Sequence, residues 1–124
     1  MKCDILIVDD EPEFQALLLA MLTRAGFAPR VASNAAQALT AIQQKQPSAI
    51  VLDDMMPGMT GADLCAVLKK DPQTRSIPIV IYTAGVRYHL EDWRTRIGAD
   101  AALMKNGKFG ELIAVLQGLL GAGV

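Results

Sequence analysis

The sequence has few cysteines, few aromatic residues and no excess of either charge. Of its 124 residues, 2 are cysteines and 5% are aromatic, and 12 basic side chains nearly balance 13 acidic ones. A chain of this length buries roughly two-thirds of its extended surface, so it needs no disulfide or metal to fold. Without a basic excess, we expect no direct contact with nucleic acid. The apolar runs are too short for a membrane helix, so no membrane association is expected.

The start of the chain and its cysteines favour a cytoplasmic protein. Met1-Lys2-Cys3-Asp4 leads directly into a short apolar run and does not resemble a secretory signal. Cys3 and Cys65 form no Cys-x-x-Cys pair, which predicts that both are small buried hydrophobic residues in a reducing compartment. The length suits one domain over residues 1–124, and we expect no effector domain in this chain.

Short apolar runs alternate with helical patterns along the chain. The strand candidates are 5–8, 49–52 and 77–82, with weaker ones at 29–32 and 101–104. Continuous β-branched runs are typical of strands that are buried on both faces of a parallel sheet. A segment with apolar residues at helical spacing follows each strand, and the fourth of these segments includes Val86, Leu90 and Trp93. Five strand–helix pairs in strict alternation predict one α/β domain with helices on both faces of a parallel sheet.

Polar side chains follow four of the five predicted strands. They are Asp9 and Asp10, Asp53 and Asp54, Thr83, and Lys105. In an open parallel sheet, ligands bind beyond the carboxyl ends of the strands, so we expect these groups to meet at one edge. Converging carboxylates are neutralised most simply by a divalent cation, and oxygen ligands favour Mg²⁺. A carboxylate beside the metal can attack a phosphoryl group, whose charge a lysine and a hydroxyl stabilise. Taken singly, each aspartate could instead be an ordinary turn or helix-cap residue.

Two runs of the sequence resemble the motifs of response-regulator receiver domains. They are Ile-Leu-Ile-Val-Asp-Asp-Glu-Pro at 5–12 and Ile-Val-Leu-Asp-Asp-Met-Met-Pro-Gly-Met-Thr-Gly at 50–61. The similarity covers the whole chain. It implies a flavodoxin-like (βα)5 fold with strand order 2-1-3-4-5, the order known for this family.

The resemblance also implies what each site residue does. Asp53 would accept a phosphoryl group from a histidine kinase or a histidine phosphotransfer protein. The implied Mg²⁺ ligands are Asp9, Asp10, Asp53 and the backbone carbonyl of Met55. The implied contacts of the phosphoryl group are Thr83 and Lys105.

The choice between Asp53 and Asp54 depends on register. Pro57 lies four residues after Asp53 and three after Asp54, and the spacing of the family selects Asp53. Adjacent side chains of a strand point to opposite faces, so only one of the two can enter the pocket. Asp54 could add negative potential or only cap the loop.

The expected function is a phosphorylation-dependent signalling switch, not an enzyme beyond assisting its own phosphorylation and dephosphorylation. Two departures from the family pattern bear on its output. Ala102 stands where the family often has an aromatic switch residue, and Asn106 stands where proline usually follows the lysine. They leave open an alternative function as a phosphorylation-independent docking module. A phosphohydrolase is disfavoured because Met55 stands where the haloacid-dehalogenase pattern requires an acid. The sequence does not identify the kinase or the output target, or decide whether activation produces a homodimer.

Overall fold

The computed structural model describes residues 2–84, 90–105 and 108–121. In chain order the elements are β1 (Asp4–Val8), α1 (Pro12–Arg24), β2 (Ala28–Ala32), α2 (Ala35–Gln44), β3 (Ala49–Leu52), α3 (Gly61–Lys70), β4 (Ile79–Thr83), α4 (Leu90–Ile97), β5 (Ala101–Met104) and α5 (Phe109–Leu120). The strict alternation of strand and helix confirms the predicted α/β organisation. Of the helices described, none combines the length and the apolar composition that a membrane crossing requires.

The five strands form one parallel sheet in the order β2-β1-β3-β4-β5. This confirms the order that the family resemblance implies. β1 lies between β2 and β3, so Ile7 has Val31 as its neighbour on one side and Val51 on the other. The central strands β1, β3 and β4 therefore end side by side, with β5 next to β4.

The core lies on both faces of the sheet, because successive strand residues point to opposite sides. Ile5 and Ile7 of β1 pack in the cluster that includes buried leucines of α1 and α5. Leu6 and Val8 pack in the other cluster, which includes buried residues of α2 and α3. All four of these β1 side chains are 0% exposed. The continuous apolar run of β1 thus reflects burial on two faces.

The structure corrects three sequence predictions. β4 begins at Ile79 and not at Ile77, because Pro78 has no N–H to donate, although its carbonyl accepts a hydrogen bond from Ile50 (2.9 Å). Thr83 is the last residue of β4, paired with Met104, and does not follow the strand. Cys65 is buried as expected, but Cys3 is only partly buried. Val86, which the sequence pattern includes in the fourth helix, lies outside the described residues.

Two helices begin with polar side chains that cap their first turn. Asn34 accepts a hydrogen bond from the backbone N–H of Gln37 (2.8 Å) at the start of α2. Thr60 and Asp63 form a reciprocal capping box at the start of α3. Such caps satisfy backbone N–H groups that the first helical turn leaves without partners. They fix where the chain re-enters a helix after leaving the edge of the sheet.

Gly61 allows α3 to begin against the backbone of the preceding loop. A Cβ atom added here would lie 2.3 Å from the Asp53 carbonyl oxygen and 2.7 Å from the Asp54 Cα. Both contacts are with backbone, which cannot move aside as a flexible side chain can. The absence of a side chain at Gly61 therefore determines how closely α3 approaches the segment that carries Asp53.

We predict that Gly61→Ala lowers the free energy of unfolding by about 2 kcal/mol or more, because the clash must displace backbone. Urea denaturation measures the change. Gly118→Ala in α5 is the matched control, since a Cβ atom there meets nothing within 4 Å. That control should be neutral or stabilising by up to about 1 kcal/mol. Equal midpoints for Gly61→Ala and the unmodified protein would contradict the packing described here.

Candidate functional site

The predicted site residues lie together at the carboxyl edge of the sheet. Backbone hydrogen bonds continue the sheet past the strand ends and determine where these side chains start. The N–H of Asp9 donates to Ala32 (3.1 Å), that of Asp53 to Val8 (2.9 Å) and that of Lys105 to Thr83 (2.7 Å). Asp9 and Asp53 are each 2% exposed. The residues that follow β1, β3 and β5 thus place two buried carboxylates and one lysine in the same pocket.

Lys105 reaches into this pocket with its whole side chain, which is 7% exposed. Its Nζ donates to Asp9 Oδ2 at 2.7 Å and to Glu11 Oε1 at 3.4 Å, and lies 3.5 Å from Asp53 Oδ2. A buried ammonium requires paired negative groups, and here three carboxylates surround it. Asn106 lies outside the described residues, but its replacement of the usual proline does not keep Lys105 from the site.

Four carboxylates come close enough to share one cation. Ligand oxygens of Asp9, Asp10, Glu11 and Asp53 all lie within 4.8 Å of one another. Within the described parts of the chain, the buried Asp53 Oδ2 has no hydrogen-bond partner, although Lys105 is at ion-pair distance. A set of hard oxygen donors with one unsatisfied buried oxygen fits Mg²⁺, which takes carboxylates and keeps some of its waters. The residues present therefore fit the metal that the sequence predicts.

Glu11 is the member of this cluster that the sequence predictions omit. It follows Asp9 and Asp10 directly after β1, and its backbone N–H donates to Asp9 Oδ1 (2.9 Å). Its side chain is 64% exposed, so it stands at the solvent side of Lys105. The signal that could have identified it is its position in the acidic run at a strand end.

Burial and neighbouring charge both act on the titration of the site. Burial raises the pKa of Asp53 to about 6; Lys105 opposes this shift and Asp9 adds to it. Burial disfavours the charged form of Lys105, but the hydrogen bond to Asp9 and the nearby carboxylates outweigh it and raise the pKa of the ammonium. Lys105 therefore stays charged at neutral pH, and Asp53 loses its proton less readily than an ordinary aspartate.

Asp54 has a different task from its neighbour Asp53. Its Oδ1 accepts a hydrogen bond from Ala62 (2.9 Å), and its carbonyl accepts from Met56 and Gly61 (both 3.1 Å). These contacts tie the loop after β3 to the start of α3. The interpretation of Asp54 as a loop-capping residue is confirmed, while the carboxylate of Asp53 is the one in the acidic cluster.

Met55 and Thr83 border the site, but what they do there remains a prediction. The backbone N–H of Met55 donates to Asp53 Oδ1 at 3.3 Å, and its side chain is exposed. Thr83 is fully buried at the end of β4, next to the start of the Lys105 backbone. The structure thus places both beside Asp53 or Lys105. The metal contact of the Met55 carbonyl and the phosphoryl contact of the Thr83 hydroxyl stay predictions.

The position of the usual aromatic switch carries no ring in this chain. Ala102 of β5 is buried in the core cluster on the side of α2, α3 and α4. The aromatic side chain of Tyr82 packs on the opposite face of the sheet, with α1 and α5. Gly85 and Val86, which come shortly after β4 in the sequence, lie outside the described residues.

We predict that Asp53→Asn stabilises the metal-free protein by about 2 kcal/mol at about pH 8. The pKa of Asp53 is 3.8 in its ordinary state and about 6 when folded. The free energy of unfolding of the unmodified protein therefore falls as pH rises from 3.8 to about 6 and keeps the lower value above that. Asparagine does not titrate, so the variant shows no such fall. The gain should vanish near about pH 4. Denaturation at several pH values tests this, with Asp54→Asn as the matched control that should gain nothing; a pH-independent difference would contradict it.

Comparison with known proteins agrees with the geometry. The family model for the response regulator receiver domain matches residues 5–117. The chain is 38% identical over 120 residues to the DNA-binding response regulator MtrA of Mycolicibacterium smegmatis. The match covers 97% of this chain and 51% of that protein. This chain therefore spans about half the length of the curated relatives it matches.

Solved structures show the same fold. The chemotaxis protein CheY4 of Vibrio cholerae has a TM-score of 0.88 and 25% identity, over 97% of this chain and 100% of that one. The response regulator TrrA of Thermotoga maritima, determined in complex with Mg²⁺ and BeF, has a TM-score of 0.85 and 30% identity, over 97% of this chain and 100% of that one. The motifs at the ends of β1 and β3, the strand order and the family match agree: this chain belongs to the response regulator receiver domain family of two-component systems.

Proposed function

We propose that this receiver domain accepts a phosphoryl group on Asp53 in a Mg²⁺-dependent reaction, and that a histidine kinase or a histidine phosphotransfer protein donates it. The surroundings of Asp53 are the main support for this proposal. Its buried Oδ2 has no hydrogen-bond partner in the described structure, and it lies 3.5 Å from a buried ammonium within a cluster of four carboxylates. A buried carboxylate that has one oxygen without a hydrogen bond and lies close to positive charge can act as a nucleophile toward phosphorus.

In the proposed transfer, a lone pair of Asp53 attacks the phosphorus of the phosphohistidine. The P–N bond breaks, and the imidazole nitrogen leaves with the bonding electron pair. Lys105 neutralises part of the negative charge on the phosphoryl oxygens, and the Thr83 hydroxyl donates a hydrogen bond to one of them. Asp9, Asp10, Asp53 and the Met55 carbonyl would hold Mg²⁺, which would supply further positive charge. The domain thus promotes only its own phosphorylation and dephosphorylation, not turnover of a separate substrate.

The phosphorylated state would signal by a change of conformation. Phosphorylation adds charge that Lys105 and Thr83 can bind, which biases a two-state element toward one form. The recipient is an output domain or a partner protein. The match of 120 residues covers 51% of MtrA, a DNA-binding response regulator. An output domain that binds DNA is therefore one candidate for the recipient.

A phosphorylation-independent docking module is the competing function. The observation in its favour is Ala102, which is buried and has no ring that could change position between two states. The intact site at Asp53 favours phosphorylation over this alternative. A receiver kept only for docking would have no need of a buried lysine paired with carboxylates that repel one another.

Incubation with Mg²⁺ and acetyl phosphate tests the proposal, with intact mass as the readout. We expect a gain equal to one phosphoryl group, no gain without Mg²⁺, and no gain in Asp53→Asn. Asp54→Asn is the matched control: its amide oxygen can still accept from Ala62, so it should be phosphorylated like the unmodified protein. No gain with any donor would support the docking module, and a gain that persists in Asp53→Asn would show a different acceptor.

A further inference from the structure

An aromatic ring lies against the ammonium group of Lys105. The Nζ is 4.2 Å from the centroid of the Phe14 ring. Over that distance the negative face of a ring attracts a cation, most strongly where water is excluded, and the Lys105 side chain is 7% exposed. Besides the ring, the charged groups that face the ammonium are Asp9, Glu11 and Asp53. Phe14 thus contributes an attraction that involves no ionisable group.

The Phe14 ring is itself held by two other rings. Its centroid is 5.8 Å from that of Tyr82 in β4 and 6.1 Å from that of Phe109 in α5, with interplanar angles of 44° and 38°. Tilted pairs at these distances are favourable for aromatic side chains. The ring in α1 is therefore anchored by a strand and a second helix. It offers the lysine a fixed surface on the α1 and α5 side of the sheet.

The carboxylates around Lys105 also form the site that fits Mg²⁺, a second cation besides the ammonium. The cluster that includes Asp9 and Asp53 fits Mg²⁺, and a metal there would be bound by carboxylates that the ammonium also contacts. Two neighbouring cations also repel each other. A phenyl ring neither ligates Mg²⁺ nor titrates, so its attraction for the ammonium persists when the carboxylates are engaged.

We propose that Phe14 is a positioning residue whose ring holds the Lys105 ammonium beside Asp53. Its effect on phosphoryl transfer rests on the proposed function, whereas its effect on the place of the ammonium does not. Phe14 touches neither the phosphoryl group nor the metal in this scheme. It acts by keeping Lys105 in the pocket that the two would share.

The rate of phosphorylation by acetyl phosphate at saturating Mg²⁺ is the first test. Phe14→Leu should slow the reaction by about tenfold, and Phe14→Tyr should restore most of the rate, because tyrosine keeps the aromatic face. Phe27→Leu is the matched control, since it removes a ring from the same core cluster and takes part in neither of the ring contacts that hold Phe14; its rate should stay within about twofold of the unmodified protein. Thermal denaturation of all three variants confirms that each is folded.

Fluorinated phenylalanines at position 14 separate the electrostatic effect from packing. Added fluorines withdraw electrons from the ring face while nearly keeping its shape, so the attraction for a cation weakens stepwise. We expect the rate to fall with each added fluorine. A rate that is the same across the series, or the same in Phe14→Leu as in the unmodified protein, would overturn the proposal.

An NMR measurement without metal or phosphodonor tests the placement of Lys105 by itself. Protons on the Lys105 Cε should be shifted upfield by the ring, and this shift should disappear in Phe14→Leu but persist in Phe27→Leu. Unchanged shifts in Phe14→Leu would show that the ammonium is not held over the ring. If the unmodified protein takes up no phosphoryl group, the proposed function fails, and the NMR result alone decides the proposal for Phe14.

Discussion

The site depends on one buried ammonium in an excess of negative charge. Lys105 pairs with Asp9 at 2.7 Å, yet four carboxylates lie within 4.8 Å of one another beside it. One ammonium cannot neutralise four carboxylates, so the pocket favours a further cation. Burial raises the pKa of Asp53 and the neighbouring Asp9 adds to the shift, so a bound cation would also favour the charged form of this carboxylate.

The fold supplies the precision that such a site requires. Hydrogen bonds from the backbone N–H groups of Asp9, Asp53 and Lys105 extend the sheet beyond the strands. The side chains therefore start from rigid positions and not from free loops. Asp54 and Gly61 complete the support from the other side, one by binding the start of α3 and the other by allowing close backbone approach. Side chains on rigid elements keep their geometry as charge builds up in a reaction.

Sequence patterns predicted the elements and most of the site for physical reasons. Alternation of buried strands and amphipathic helices determines the layers, and polar residues at strand ends meet at one edge, which places Asp9, Asp53 and Lys105 together. The spacing to Pro57 in the family motif selected Asp53 over Asp54, and the alternation of strand side chains explains why only one of the two enters the pocket. The contact of Phe14 with Lys105 could not be predicted this way, since helical spacing marks Phe14 only as an apolar position. The presence of Glu11 beside Lys105 likewise depends on side-chain packing between α1 and the end of β5.

A crystal structure with Mg²⁺ and beryllofluoride tests the central claim most directly. We expect Mg²⁺ among the acidic residues and beryllofluoride bound to Asp53. We also expect the Lys105 ammonium to contact a fluoride while it still lies over the Phe14 ring. A structure in which Mg²⁺ and beryllofluoride leave Asp53 free, with Lys105 paired to Asp9 as before, would contradict it.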